Sequence, residues 1–143
     1  MQSVARHDSG VIPLCEPVLG GNEGAYLSEC LESNWVSSAG PFVDRFEREF
    51  ATRLATSHSV VTCSGTAAIH VALHALGVGP GDEVLVPTFT FIASVNPIAY
   101  RGASPVLVDC EQETWNMDPE LVVSEVAARA KSGHMPKAIV VKV

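Results

Sequence analysis

Four short apolar runs recur at helix-length intervals through the second half of the chain: residues 60–63, 83–86, 105–109 and 138–143. Each is too short for a stable helix and too apolar for a strand with one wet face. Helical patterns lie between them. Residues 66–76 end at Gly77. Residues 90–100 contain Pro97, which should kink that helix or end its regular part. Residues 119–131 open with Asp118 as N-cap and Pro119 in the first position. The order is βαβαβαβ, an α/β fold with a mostly parallel sheet and helices on both faces. The turns after Cys63, Val86 and Asp109 then fall at the carboxyl edge of the sheet, where ligands bind in open α/β folds.

The turn after Cys63 carries the strongest chemical signal. A strand breaks at Ser64-Gly65 and opens at once into a helix. Gly65 can take the φ values of a tight reversal, and Ser64 and Thr66 are of N-capping type. Ala67 and Ala68 let another group approach the first turn. Unpaired N–H groups and the positive dipole end favour an anion there. Two readings stand: a phosphate cradled by Gly65, Thr66 and Ala67, or an ordinary βα turn. Residues 87–94 place Phe89 and Phe91 beside that turn, either to stack on a planar cofactor or to pack in the core.

Other sites are excluded or weak. Gly77–Asp82 carries glycines like a dinucleotide fingerprint but follows a helix and precedes a strand, the wrong context. His70 and His74 are one helical turn apart, yet the glutamate of a zinc-binding H-E-x-x-H motif is missing, so no metal is expected. The net charge of −7 over 143 residues argues against a nucleic-acid partner. No apolar run reaches the ~18 residues needed to span a bilayer. Residues 1–11 read as a flexible lead-in without an apolar signal core. Cys15, Cys30, Cys63 and Cys110 form no C-x-x-C pair and read as buried free thiols of a cytoplasmic protein. Residues 12–57 form an N-terminal helical segment: one helix over 20–33, with Asn22 a candidate N-cap, and a second over 42–55 opened by Pro41. Residues 58–143 form the sheet domain. The last strand has no helix after it, which reads as an incomplete domain and a fragment of a larger protein.

Eight motifs in order carry a family resemblance: Gly21-Asn22-Glu23, Trp35-Val36-Ser37-Ser38-Ala39-Gly40-Pro41, Val43-Asp44-Arg45-Phe46-Glu47, Cys63-Ser64-Gly65-Thr66-Ala67-Ala68-Ile69-His70, Gly79-Pro80-Gly81-Asp82-Glu83-Val84, Pro87-Thr88-Phe89-Thr90-Phe91-Ile92-Ala93-Ser94, Val108-Asp109-Cys110 and Glu113-Thr114-Trp115-Asn116-Met117-Asp118-Pro119. The chain resembles the N-terminal part of the DegT/DnrJ/EryC1/StrS family of pyridoxal 5'-phosphate-dependent sugar aminotransferases. Its wording is most similar to the branch that aminates 4-keto nucleotide sugars of the legionaminic-acid and perosamine type. The resemblance implies the large domain of a fold-type-I, aspartate aminotransferase-like enzyme. It implies a homodimer acting on a nucleotide sugar with glutamate as amino donor, in polysaccharide biosynthesis. It implies cofactor phosphate on Gly65, Thr66 and Ala67, and Phe91 stacked on the pyridine ring. The loop 35–40, with Trp35, Ser37 and Gly40, would lie by the sugar.

Departures from the family pattern limit what is implied. The lysine that forms the Schiff base and the Asp that holds the pyridinium nitrogen lie beyond residue 143 in family members. The lysines present, Lys131, Lys137 and Lys142, do not follow the family's S-x-x-x-x-K pattern. The implied reading is an aminotransferase fragment with no catalytic lysine of its own, inactive alone. The alternative is a lysine-lacking relative acting as a binding or regulatory module.

Overall fold

A computed structural model describes residues 15–141. The expectations for the lead-in 1–11 and for Lys142 fall outside them. The chain divides into two compact units, the first ending at Ser59 and the second beginning at Val60.

In the first unit, α1 spans Glu23–Glu32 and α2 spans Pro41–Arg53. Asn22 precedes α1 but makes no capping bond. Its amide instead reaches the Tyr26 hydroxyl at 3.4 Å, and the Glu23 carboxylate accepts the Gly21 N–H at 2.9 Å. Pro41 opens α2 at a position whose N–H would have no helical acceptor. Tyr26 and Phe42 bring their rings to 5.3 Å, and the Arg45 guanidinium lies over the Tyr26 ring while pairing with Glu49 at 2.7 Å.

In the second unit, α3 is Gly65–Ala75, β1 Glu83–Pro87, α4 Asn96–Tyr100, β2 Ser104–Val108, α5 Pro119–Ser132 and β3 Ala138–Ile139. The expected helix over 90–100 is divided into a single 3-10 turn, Ile92–Ser94, and α4, with Pro97 in the first turn of α4. A missing N–H is harmless there. The sheet is parallel, in the order β2-β1-β3.

The expected strand at 60–63 is corrected: among the described residues that segment belongs to no strand. β1 is paired on both edges, and among the described residues neither β2 nor β3 carries a further ladder on its outer edge. The Val60 side chain is exposed. An apolar run becomes a strand only where another strand lies alongside it.

β1 holds the unit together. Val84 and Val86 face Leu73, Val78, Ile98 and Ala103, the α3/α4 layer. Leu85 points the other way, onto Val108, Met117 and the Val122 and Val126 side chains of α5. Period-two alternation thus feeds two cores from one strand. Asp118 caps α5 as expected, its carboxylate accepting the Glu120 and Leu121 N–H groups at 2.8 and 3.3 Å. Gly133, at φ 78°, ends α5 in the left-handed region that glycine tolerates. Arg129, near that end, pairs with Glu83 at the start of β1 and with Glu125 at 3.2 Å.

Truncating Leu85 to alanine should cost about 2–5 kcal/mol, since it empties a fully buried central position. Truncating the exposed Leu107 on β2 should cost under about 1 kcal/mol. Urea unfolding followed by circular dichroism measures both.

Candidate functional site

The α3 N-terminus is built by Ser64. Its backbone is extended (φ −163°, ψ 161°), its carbonyl accepts the Ala68 N–H at 3.0 Å, and its hydroxyl accepts the Ala67 N–H at 3.2 Å. The Thr62 hydroxyl donates to the Ser64 carbonyl at 2.9 Å and steadies the approach. Gly65 and Thr66 are the first two helical residues, and their N–H groups meet no acceptor among the described residues. A Cβ built on Gly65 would have no atom within 4 Å, so the space before this turn is open.

Two expectations change here. The Ala67 N–H does not point into open space, because the Ser64 cap engages it; a serine at N-cap is well suited to take the third N–H of its helix. Gly65 does not adopt a positive φ. The reversal is made by extended Ser64, and what Gly65 contributes is the absence of a side chain.

The carboxyl end of β1 runs into Thr88, Phe89, Thr90 and Phe91. Phe91 leads the 3-10 turn, which packs against α3, and it is 80% exposed rather than part of the core. The Thr90 and Ser94 hydroxyls bond at 2.8 Å across that turn. Loop 35–40 lies in the first unit. Gly40 adopts φ 141°, and a Cβ there would come within 3.0 Å of the Trp35 ring, so Trp35 lies directly on the Gly40 backbone. Ser37 is exposed in the bend between them. Trp35 and Gly40 are therefore brought together within their own unit.

A clasp that sequence reasoning left without a role joins the loops after β1 and β2. The Thr88 N–H donates to the Val108 carbonyl at 2.9 Å and the Thr88 hydroxyl to Asp109 Oδ1 at 2.9 Å. The Cys110 N–H donates to the same oxygen at 2.8 Å. These bonds, the Cys110 amide first and the Thr88 hydroxyl second, hold the Asp109 carboxyl below its usual range. The available signal was a polar residue at the end of each apolar stretch, Thr88 just past Pro87 and Asp109 just past Val108. Farther along, the Glu111 carboxylate accepts the Thr114 hydroxyl and the Glu113 and Thr114 N–H groups, which also lowers its pKa.

Among the described residues no three histidine, cysteine or acidic side chains gather as a metal site. His70 lies edge-on to Tyr100, ring centroids 5.7 Å apart. The four thiols are free, but none is buried as expected, and Cys15 and Cys63 are exposed. No helix among the described residues is long and apolar enough to cross a membrane.

Residues 17–141 match the model of the DegT/DnrJ/EryC1/StrS aminotransferase family, and the chain belongs to that family. It is 47% identical to the GDP-perosamine synthase of Vibrio cholerae over 85% of this chain and 33% of that protein. A DegT DnrJ EryC1 StrS aminotransferase from Brucella abortus matches in structure with a TM-score of 0.75 at 35% identity, over 82% of this chain and 32% of that one. NtdA from Bacillus subtilis, solved with bound cofactor PMP, matches at a TM-score of 0.64 and 35% identity, over 70% of this chain and 23% of that one. The chain spans about a third of the length of the curated relatives it matches. Its parallel sheet with covering helices is the α/β architecture of the fold-type-I aminotransferases.

Replacing Thr88 by valine should raise the Asp109 pKa toward the ordinary value of about 3.9. Because the folded value is depressed, Asp109 stabilises the fold above its unfolded pKa, and that contribution is lost as pH falls through the folded value. The variant should therefore lose less stability on acidification. Carboxyl-carbon NMR titration and pH-dependent unfolding check both statements.

Proposed function

We propose that this chain supplies the phosphate end of a pyridoxal 5'-phosphate site in an aminotransferase that moves an amino group from glutamate to the keto group of a nucleotide-linked sugar. The observation that carries the proposal is the capped α3 turn, with two N–H groups lacking protein acceptors and open space before them. A dianionic phosphate fits it: the helix end offers donors, positive dipole charge and no side chain in the way. Gly65 and Thr66 hold the phosphate, and Ala67 joins when the Ser64 hydroxyl turns to the ligand. The exposed Phe91 ring supplies a flat apolar face on which the pyridine ring rests. When bound, the cofactor serves as the electron sink for amino transfer. Trp35, Ser37 and Gly40 serve the sugar. The protein acts as a cytoplasmic homodimer in polysaccharide biosynthesis, the naming of the perosamine synthase supporting the sugar class.

A second reading, that the 143-residue chain transfers no amino group by itself, is favoured by where its described lysines lie. The Lys137 N–H donates to the Glu83 carbonyl at 2.8 Å, at the amino end of β1 and the opposite edge from the α3 turn. Lys131 is exposed in the last turn of α5. Neither amine is held against the α3 turn, and nucleophilic catalysis needs an amine with a lowered pKa so held. Borohydride treatment of the chain with cofactor should trap no stoichiometric lysine adduct; one trapped site overturns this reading.

Gly65→Pro tests the cradle. The extended Ser64 backbone and the first helical position both suit proline, so the helix should persist while one N–H is deleted. Cofactor affinity, measured by calorimetric titration with pyridoxal phosphate, should fall by about 1.5–3 kcal/mol. Unchanged affinity in a folded variant would sink the assignment.

A further inference from the structure

Trp115 has a positive φ of 61°, a left-handed backbone that a bulky side chain rarely adopts. The strain is held in place by a dedicated device. The Glu111 carboxylate accepts the Glu113 and Thr114 N–H groups at 2.6 and 2.7 Å together with the Thr114 hydroxyl, and the Glu111 N–H donates to the Asn116 carbonyl at 2.9 Å. An antiparallel bridge between Cys110 and Met117 closes the base of the loop. Burial among the described residues does not account for this effort. Trp115 is 59% exposed, and Phe89, whose ring it meets at 5.5 Å and a tilt of 56°, is 53% exposed. Strain kept by its surroundings, without burial as the return, marks a side chain held out for contact.

The pair sits where the loops leave the carboxyl ends of β1 and β2, the ligand edge of a parallel sheet. We infer that Phe89 and Trp115 form a stacking platform for the nucleobase of the nucleotide-linked substrate, an inference that rests on the function proposed above. Among the parts of such a substrate only the base is flat and uncharged. The carboxylates of Asp109 and Glu111, both kept ionised by their hydrogen bonds, repel a phosphate or pyrophosphate group from this loop and leave a neutral heterocycle as the suited occupant. Aromatic rings take any base by its π-face, so this platform supplies affinity and placement while the identity of the base is read elsewhere.

The test is titration of the 143-residue chain with guanosine diphosphate and, separately, with inorganic pyrophosphate, followed by tryptophan emission and by calorimetry. Guanosine diphosphate should quench emission saturably, and pyrophosphate should not. Trp115→Gly removes the ring while suiting the left-handed backbone, so it should stay folded by circular dichroism and bind guanosine diphosphate about tenfold more weakly. Trp115→Phe should stay within about twofold of the parent, since it keeps a stacking face. Unaltered binding in folded Trp115→Gly, or equal quenching by pyrophosphate, overturns the platform. Neither outcome touches the Gly65→Pro cofactor titration, so failure of the platform and failure of the aminotransferase reading are separately visible.

Discussion

Everything in the second unit depends on β1 being buried on both faces and paired on both edges. Val84, Leu85 and Val86 have no exposed surface. A strand so enclosed has no face to give to water, so helices must cover it above and below. The two cores are accordingly separate sets of side chains, α3 and α4 on one side and α5 on the other. Parallel pairing then sends the chain back over a face after each strand, and all of the strand exits collect at one edge. The α3 turn, Phe91, the Thr88–Asp109 clasp and Trp115 sit on segments that this geometry brings to that edge.

The alternation of apolar runs with helical patterns made this part of the fold legible. Three of the four runs contain strands, the last only at Ala138–Ile139, and the caps at Asp118 and Ser64 lie at the residues whose chemistry announced them. Residues 60–63 show the limit. Their composition is that of a buried strand, but pairing is a property of neighbours, and no residue type records whether another strand lies alongside. Asn22 shows the same limit on a smaller scale: it stands at the N-cap, while the bond that matters locally is made by the Glu23 side chain.

The site divides in a similar way. The helix turn at Gly65 was legible because serine, glycine and small residues after an apolar run have few other uses together. The clasp at Thr88 and Asp109 joins residues far apart in sequence, and only the register of β1 against β2 brings them within bonding distance. Trp115 was visible as part of a motif, but its strain was not, because φ is set by the surrounding hydrogen bonds and not by the residue. Sequence reports which groups are available; the sheet register decides which of them meet.

The Ser64 cap has a consequence for how the α3 turn would receive an anion. Because the serine hydroxyl already occupies one of the first-turn N–H groups, arrival of a phosphate is an exchange of acceptors and not a simple addition. The net gain at Ala67 is the difference between an ionic and a neutral acceptor, smaller than the full strength of either. In return the helix end is never left with all its donors idle, so α3 keeps a defined start whether or not an anion is bound. The turn behaves as a socket with its own removable stopper, shaped before it is filled.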